Sequence, residues 1–205
     1  MKAVSIALAF TIACSAQFHR AEQDREIRYW LLEPESHQFR ISHDFTVSKT
    51  GQKSVHSFVR KGSVVTRSIV IDLTTGKELK TYNVTGKSVN ELKYYPQPSD
   101  PDSVVVQADL EKPIAEGESV RVRVIETYTD PVSYRMEGSE LVWDRTLGRP
   151  FDEVTLPPGW MLSSLSVPGI VSLDAEGRIH LEFTNPRNDE IHVVVKARRR
   201  GRISG

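Results

Sequence analysis

The stretch 37-HQFRISHDFTV-47 alternates with period two: His37, Phe39, Ile41, His43, Phe45 and Val47 fall on one face, and Gln38, Arg40, Ser42, Asp44 and Thr46 on the other. Successive side chains of an extended chain point to opposite sides, so this pattern specifies a half-buried strand and conflicts with the 3.6-residue period of a helix. The same rule sets Val120, Val122 and Val124 opposite Arg121 and Arg123. It also sets Ile179, Leu181 and Phe183 opposite His180 and Glu182, and Ile191, Val193 and Val195 opposite His192 and Val194. Strands with one wet face are those of antiparallel sheets.

Further strands are expected over residues 27–32, 54–60, 64–73, 79–84, 103–110, 134–136, 140–144 and 160–167, and in a segment ending at Val154-Thr155-Leu156. Turn chemistry separates them, as at Lys49-Thr50-Gly51, Thr75-Gly76-Lys77 and Glu137-Gly138-Ser139. Only Val89 to Lys93 reads as a helical turn. Short strands at this spacing predict an all-β chain, an antiparallel β-sandwich-like architecture of two packed β lobes. The expected boundary lies near 129-TDPVS-133, where a valine-rich strand runs into a proline. Residues 17–130 then form an N-terminal β-sandwich lobe, 131–200 a C-terminal β lobe and 201–205 a basic tail; one continuous large sandwich is the alternative.

The first sixteen residues, MKAVSIALAFTIACSA, carry a lysine, an apolar run and then small residues, which is the grammar of a secretory signal peptide (1–16). Cleavage after Ala16 discards Cys14, the only cysteine. The alternative reads Thr11-Ile12-Ala13-Cys14 as a lipoprotein box, which places an N-terminal lipid anchor on Cys14. Beyond this segment nothing is apolar for long enough to be a transmembrane span.

The chain has 27 basic and 27 acidic residues, but Lys196, Arg198, Arg199, Arg200 and Arg202 crowd the C-terminus. An acidic body with a basic tail is not the footprint of a nucleic-acid-binding domain.

Residue chemistry offers few sites. None of the six histidines forms a His-Glu-x-x-His motif. His37, His43 and His56 are expected on apolar faces as hydrogen-bonded core or edge histidines, and His180 and His192 on the polar faces of neighbouring strands beside Glu182. A flat surface cluster of that kind lacks the convergence a metal needs. Gly-x-Ser-x-Gly and glycine-rich phosphate loops are absent from the sequence. No catalytic, metal or cofactor residue is therefore assigned.

The stretch 141-LVWDRTLGRPFDEVTLPPGW-160 gathers Asp144, Asp152 and Glu153 with two arginines and two tryptophans, a set that suits a hydrolase with paired carboxylates. Its local grammar favours structure: Trp143 as a core anchor, Asp144 and Arg145 as a strand-end pair, 147–150 as a turn and Pro157-Pro158-Gly159 as a rigid corner before Trp160.

At 27-IRYWLLEPESHQFRISHDFTV-47, at 126-ETYTDPVSYRMEGSELVWDRTLGRPFDEVTLPPGWMLSSLSVP-168 and at 177-GRIHLEFTNPRNDEIHVVVKARRR-200 the chain resembles exported bacterial β-domain proteins of unassigned function. The first stretch is also distantly similar to the N-terminal β-domain of glycyl-aminopeptidase-type zinc peptidases, and the second to the β-lobes of ribophorin. The resemblance implies β-sandwich or saddle-shaped sheets that present a surface to something else. The peptidase zinc ligands have no counterpart here, so no catalytic residue is carried over.

The resulting expectation is a non-enzymatic exported protein, periplasmic or extracellular, or anchored at the outer membrane if Cys14 is lipidated. It binds a protein or cell-envelope component through a sheet edge or exposed face, with no nucleic acid among its partners. Trp143, Asp144, Arg145, Arg149 and Trp160 are the candidate interaction residues. The alternatives are a carbohydrate-binding module that stacks sugars on Trp30, Trp143 and Trp160, and a hydrolase that uses the 144–153 acids.

Overall fold

A computed structural model describes residues 25–187 and 189–201. The expected signal peptide, Cys14 and residues 202–205 of the tail lie outside the described residues. In chain order the strands are β1 (Glu26–Leu31), β2 (Gln38–Val47), β3 (Ser54–Phe58), β4 (Val64–Asp72), β5 (Glu78–Leu79), β6 (Thr81–Thr85) and β7 (Val104–Asp109). They continue as β8 (Val120–Thr129), β9 (Tyr134–Glu137), β10 (Glu140–Leu147), β11 (Phe151–Thr155), β12 (Trp160–Leu165), β13 (Ile170–Leu173), β14 (Ile179–Thr184) and β15 (Ile191–Arg199). One helix, α1 (Gly86–Leu92), and a 3-10 turn at Pro34–Ser36 complete the described elements.

Three sheets result. The large sheet runs β13-β14-β11-β1-β2-β8-β4-β5, a second runs β12-β15-β10-β9, and a third runs β3-β7-β6. Neighbours are antiparallel except β1 and β11, which are parallel with Glu26 beside Phe151. The large sheet therefore draws strands from both sides of the 130/131 division.

Register decides what each face buries. On the large sheet Ile27 stands beside His43 and Asp152, and Tyr29 beside Ile41 and Val154. Across the next pair Ile41 meets Glu126, Phe39 meets Tyr128 and Phe45 meets Val122. These side chains share one face because alternation repeats every second residue. The four-stranded sheet covers one end of that face, closing Leu141, Trp143, Val193 and Val195 onto Tyr29, Phe39 and Leu181. The three-stranded sheet covers the other end, closing Val55 and Ala108 onto Phe45, Val70, Val122 and Val124. The all-β sandwich expected from alternation is thus present, with two separate cores along a single sheet. Each fully buried side chain of this size contributes about 1.5–3 kcal/mol by leaving water.

The opposite face of the large sheet carries charge. Asp44 is buried beneath Arg123, which donates to it through Nε at 2.7 Å and Nη2 at 2.6 Å. Arg28 bridges Glu26 and Glu153, His180 sits between Glu153 (2.7 Å) and Asp174 (3.1 Å), and Arg178 closes on Asp174 at 2.7 Å. Burial works against the charged form of His180, but its hydrogen bonds to Glu153 and Asp174 outweigh this and hold its pKa above the ordinary imidazole value.

Several expectations need correction. Residues 79–84 are two strands in different sheets, β5 and β6, broken at Lys80. Strand β13 was not anticipated, because Ile-Val-Ser-Leu offers little alternation. His180 and His192 do not lie on neighbouring strands: β14 belongs to the large sheet and β15 to the four-stranded one. His37 is not on a strand face but caps the Pro34–Ser36 turn in the left-handed region (φ 55°), where its Nδ1 meets the Tyr134 carbonyl at 2.9 Å. Among the described residues no helix is long and apolar enough to cross a membrane.

Candidate functional site

Between the two covering sheets the middle of the large sheet is left bare, and a cleft of about 580 Å³ opens there. Its floor is β1, β2 and β8, with Tyr29, Ile41, His43, Glu126 and Tyr128. One wall is β3 with Tyr95 from the loop after α1; the other is the end of β10 and the following loop, with Arg145 and Arg149. The volume suits a small-molecule or side-chain ligand.

Period-two alternation sets the floor chemistry. Val120, Val122, Val124, Glu126 and Tyr128 follow one another on the same face of β8, so Glu126 replaces an apolar residue at the gap between the cores. Opposite it β4 bulges: the β4–β8 register shifts between Thr66 and Ile69, with Arg67 in the left-handed region (φ 55°). A bulge places two residues against one and re-aims side chains. Here it lets the Ser68 hydroxyl donate to Glu126 at 3.4 Å, alongside Ser57 from β3 at 2.9 Å. Burial pushes the Glu126 carboxyl above its ordinary value near 4.5, and the hydroxyls of Ser57, Ser68 and Tyr128 only partly offset this.

The shift has a measurable sign. An acid with a raised folded-state pKa favours the folded state while protonated, and that advantage is lost as pH rises above the unfolded value. Glu126→Gln is therefore expected to raise the thermal midpoint by a few degrees at pH 7.5, with the gap to wild type closing towards pH 4.5. A pH series of calorimetric scans checks it, and a gap that widens on acidification would contradict it.

His43 lies beside Ile27 and Val124 on the cleft floor. Burial pushes its pKa down to about 3, helped by the charges of Arg149 and Arg25, so the ring is neutral at physiological pH. Its Nε2 is buried without a hydrogen-bond partner. On the wall, His56 meets the Tyr95 hydroxyl (3.1 Å), Gln107 (3.2 Å) and Ser54 (3.4 Å), as expected of a hydrogen-bonded histidine.

The five expected interaction residues are dispersed. Trp143 is fully buried, with the Tyr29 ring 5.2 Å away edge-on. Asp144 and Arg145 are not a strand-end pair: β10 continues to Leu147, and alternation sends them to opposite faces. Asp144 faces outward and accepts from His192 at 2.6 Å. Arg145 turns inward, pairs with Asp130 at 3.3 Å and stacks near the rings of Phe39, Tyr29 and Tyr128. Trp160 is buried at the far end of the four-stranded sheet under the Arg199 guanidinium, 4.9 Å from its ring. Arg145 and Arg149 come together as lining of the cleft, while Asp144 meets Arg145 only at the rim of a smaller hollow of about 250 Å³ beside Asp130.

The three acids of the 144–153 stretch lie on two strands, β10 and β11, and occupy separate environments. Asp144 is on the outer face of the four-stranded sheet, Asp152 is buried on the core face of the large sheet, and Glu153 is on its charged face with Arg28 and His180. No two of them face one another across a cleft. Among the described residues no group of three or more His, Cys, Asp and Glu side chains is placed to hold a metal ion.

The sequence reading missed Arg25, Glu126 and the role of His43. For Glu126 and His43 a signal existed, namely a polar residue in register on an otherwise apolar face.

Known proteins offer a distant comparison. The chain is similar to the M1 zinc metallopeptidase of Deinococcus radiodurans, at 14% identity and a TM-score of 0.47, over 85% of this chain and 41% of that one. It is also similar to an aminopeptidase N family protein of Idiomarina loihiensis, at 9% identity and a TM-score of 0.47, over 84% of this chain and 29% of that one. The chain spans less than half the length of either peptidase. No protein-family model matches it, and no curated protein is matched by sequence.

Proposed function

We propose that this chain is a non-catalytic exported binding protein, and that its partner is a protein that lays an extended segment along β13. The exposure of that strand carries the reading. β13 is the outermost strand of the large sheet, holds no charged residue, and exposes Ile170, Val171 and Leu173 by 64%, 51% and 64%. Edge strands that stay solitary are normally blunted by charge, proline or a bulge.

Register adds direction to this edge. Val171 stands beside Leu181 and Leu173 beside Ile179, both of which are buried in the core. The apolar face of the large sheet thus continues onto β13, where the four-stranded sheet no longer covers it. A partner segment would pair with the open main-chain groups and lay apolar side chains over Val171 and Leu173. The scattered acids of the 144–153 stretch support the non-catalytic part of the reading. Burial of Trp143 and Trp160 takes away the paired stacking platform that the carbohydrate alternative required.

A photo-reactive phenylalanine analogue at Ser172 tests this in cells that make the protein. A discrete adduct with a different protein is expected, reduced at least roughly tenfold when Val171 and Leu173 are both changed to lysine. The same change at Val132, an exposed apolar residue in the β8–β9 turn, should leave the adduct intact. An adduct indifferent to the lysines, no adduct at all, or an adduct only with a second copy of the chain would overturn the proposal.

A further inference from the structure

The cleft holds an electrostatic arrangement that the described residues do not resolve by themselves. Arg25 and Arg149 both line it, and the charge of Arg149 adds to burial in lowering the pKa of Arg25. Among the described residues neither guanidinium lies within ion-pair distance of a carboxylate. Arg149 donates from Nη1 to the neighbouring Gly148 carbonyl (3.2 Å), and its Nε is buried without a partner. Arg25 rests over the Phe45 ring, 5.4 Å from its centre. Burying donors unmatched is unfavourable, and two like charges at a poorly solvated site add to that.

The surroundings favour a negative occupant. His43 beside them is uncharged, and Glu126 on the floor is held towards its neutral form by burial; of the other charged groups lining the cleft, Lys49, Arg60 and Arg145 outnumber Glu190, so the balance is cationic. A planar guanidinium matches an oxyanion through two parallel hydrogen bonds, and a pair of guanidinium groups can hold one from both sides. Alongside lie Phe45, Phe58 and Tyr95, whose rings offer an apolar wall to whatever carries the charge.

We propose that the cleft is a binding site for a small organic oxyanion, in which Arg25 and Arg149 grip the carboxylate or phosphoryl group and Phe45, Phe58 and Tyr95 pack against its body. This site is separate from the β13 edge, and either can exist without the other.

Titration calorimetry of the purified chain with three probes tests it: benzoate, phenyl phosphate and neutral benzamide. One of the two anions is expected to bind with a Kd of about 1 mM or tighter, as the efficiency of such small ligands allows, and benzamide at least roughly tenfold more weakly. The tighter anion tells a carboxylate ligand from a phosphoryl one. Arg25→Gln and Arg149→Gln should each weaken the anion at least roughly tenfold, the loss of one charge-assisted contact. Without any anion, Arg149→Gln should melt no lower than wild type, since it removes repulsion. The comparison of anion with benzamide needs no variant, so a misfolded variant does not spare the proposal. Equal binding of benzamide, no binding of either anion, or anion affinity unchanged in both folded variants would overturn it.

Discussion

Trp143→Ala is expected to remove about 3–5 kcal/mol of stability, which lowers the thermal midpoint by roughly 6–20 °C in a chain of this size. The indole is fully buried and packs edge-on against Tyr29 where the four-stranded sheet closes on the large sheet. Its removal leaves a void lined by side chains from both sheets, which β-structure tied by main-chain hydrogen bonds fills poorly. Global stability of a domain is only about 5–15 kcal/mol, so the loss is a large share of it. Urea denaturation measures it, with Trp30→Ala as the comparison. Trp30 is half-buried on the opposite face of β1 and should cost clearly less. Equal losses at the two positions would contradict the assignment of Trp143 as the joint between sheets.

The second large effect concerns Arg145 and Asp130. Asp130 accepts from Arg145 at 3.3 Å, from the Ser133 amide at 3.0 Å and from the Ser63 hydroxyl at 3.1 Å, and these contacts hold its carboxylate ionised against the opposing effect of burial. Removing one partner of a buried pair strands the other, at a cost of about 3–5 kcal/mol, which is expected for Asp130→Ala. Replacing both, as Arg145→Met with Asp130→Asn, should recover most of the loss: the thioether packs between the Phe39 and Tyr128 rings, and the amide oxygen keeps the Ser133 contact. A double-mutant cycle through the single variants Arg145→Met and Asp130→Asn reads the coupling directly. If Asp130→Ala alone costs under about 0.5 kcal/mol, the surrounding rings suffice for the guanidinium and the pair is incidental.

How far the sequence can be read is instructive at particular residues. Alternation placed β2, β8, β14 and β15 because each has one face in a core, and a one-residue slip would turn that face to water. It also contained the correction to its own most tempting feature. Applied within β10, period two sends Asp144 outward and Arg145 inward, so an apparent cluster of charges in the string is divided in space. Glu126 and His43 were legible as polar interruptions of apolar faces. The cleft around them was not, because it exists only where two covering sheets fail to meet, and that gap depends on pairings between distant segments. β13 escaped notice for a related reason: with Ser172 as its one polar residue it shows little alternation, and only its position at the rim of the large sheet makes its exposure unusual.

The parallel pairing of β1 with β11 has a consequence for the order in which the fold can assemble. β2 reaches β1 through a short turn, but the other side of β1 must wait for residues 151–155, and Tyr29 must wait for Trp143 before it is enclosed. Contacts between segments so far apart in the chain are entropically late, which slows folding relative to folds built from local contacts. The first described strand thus lacks one of its neighbours until most of the chain has been made, so it stays uncommitted during synthesis and locks only near the end.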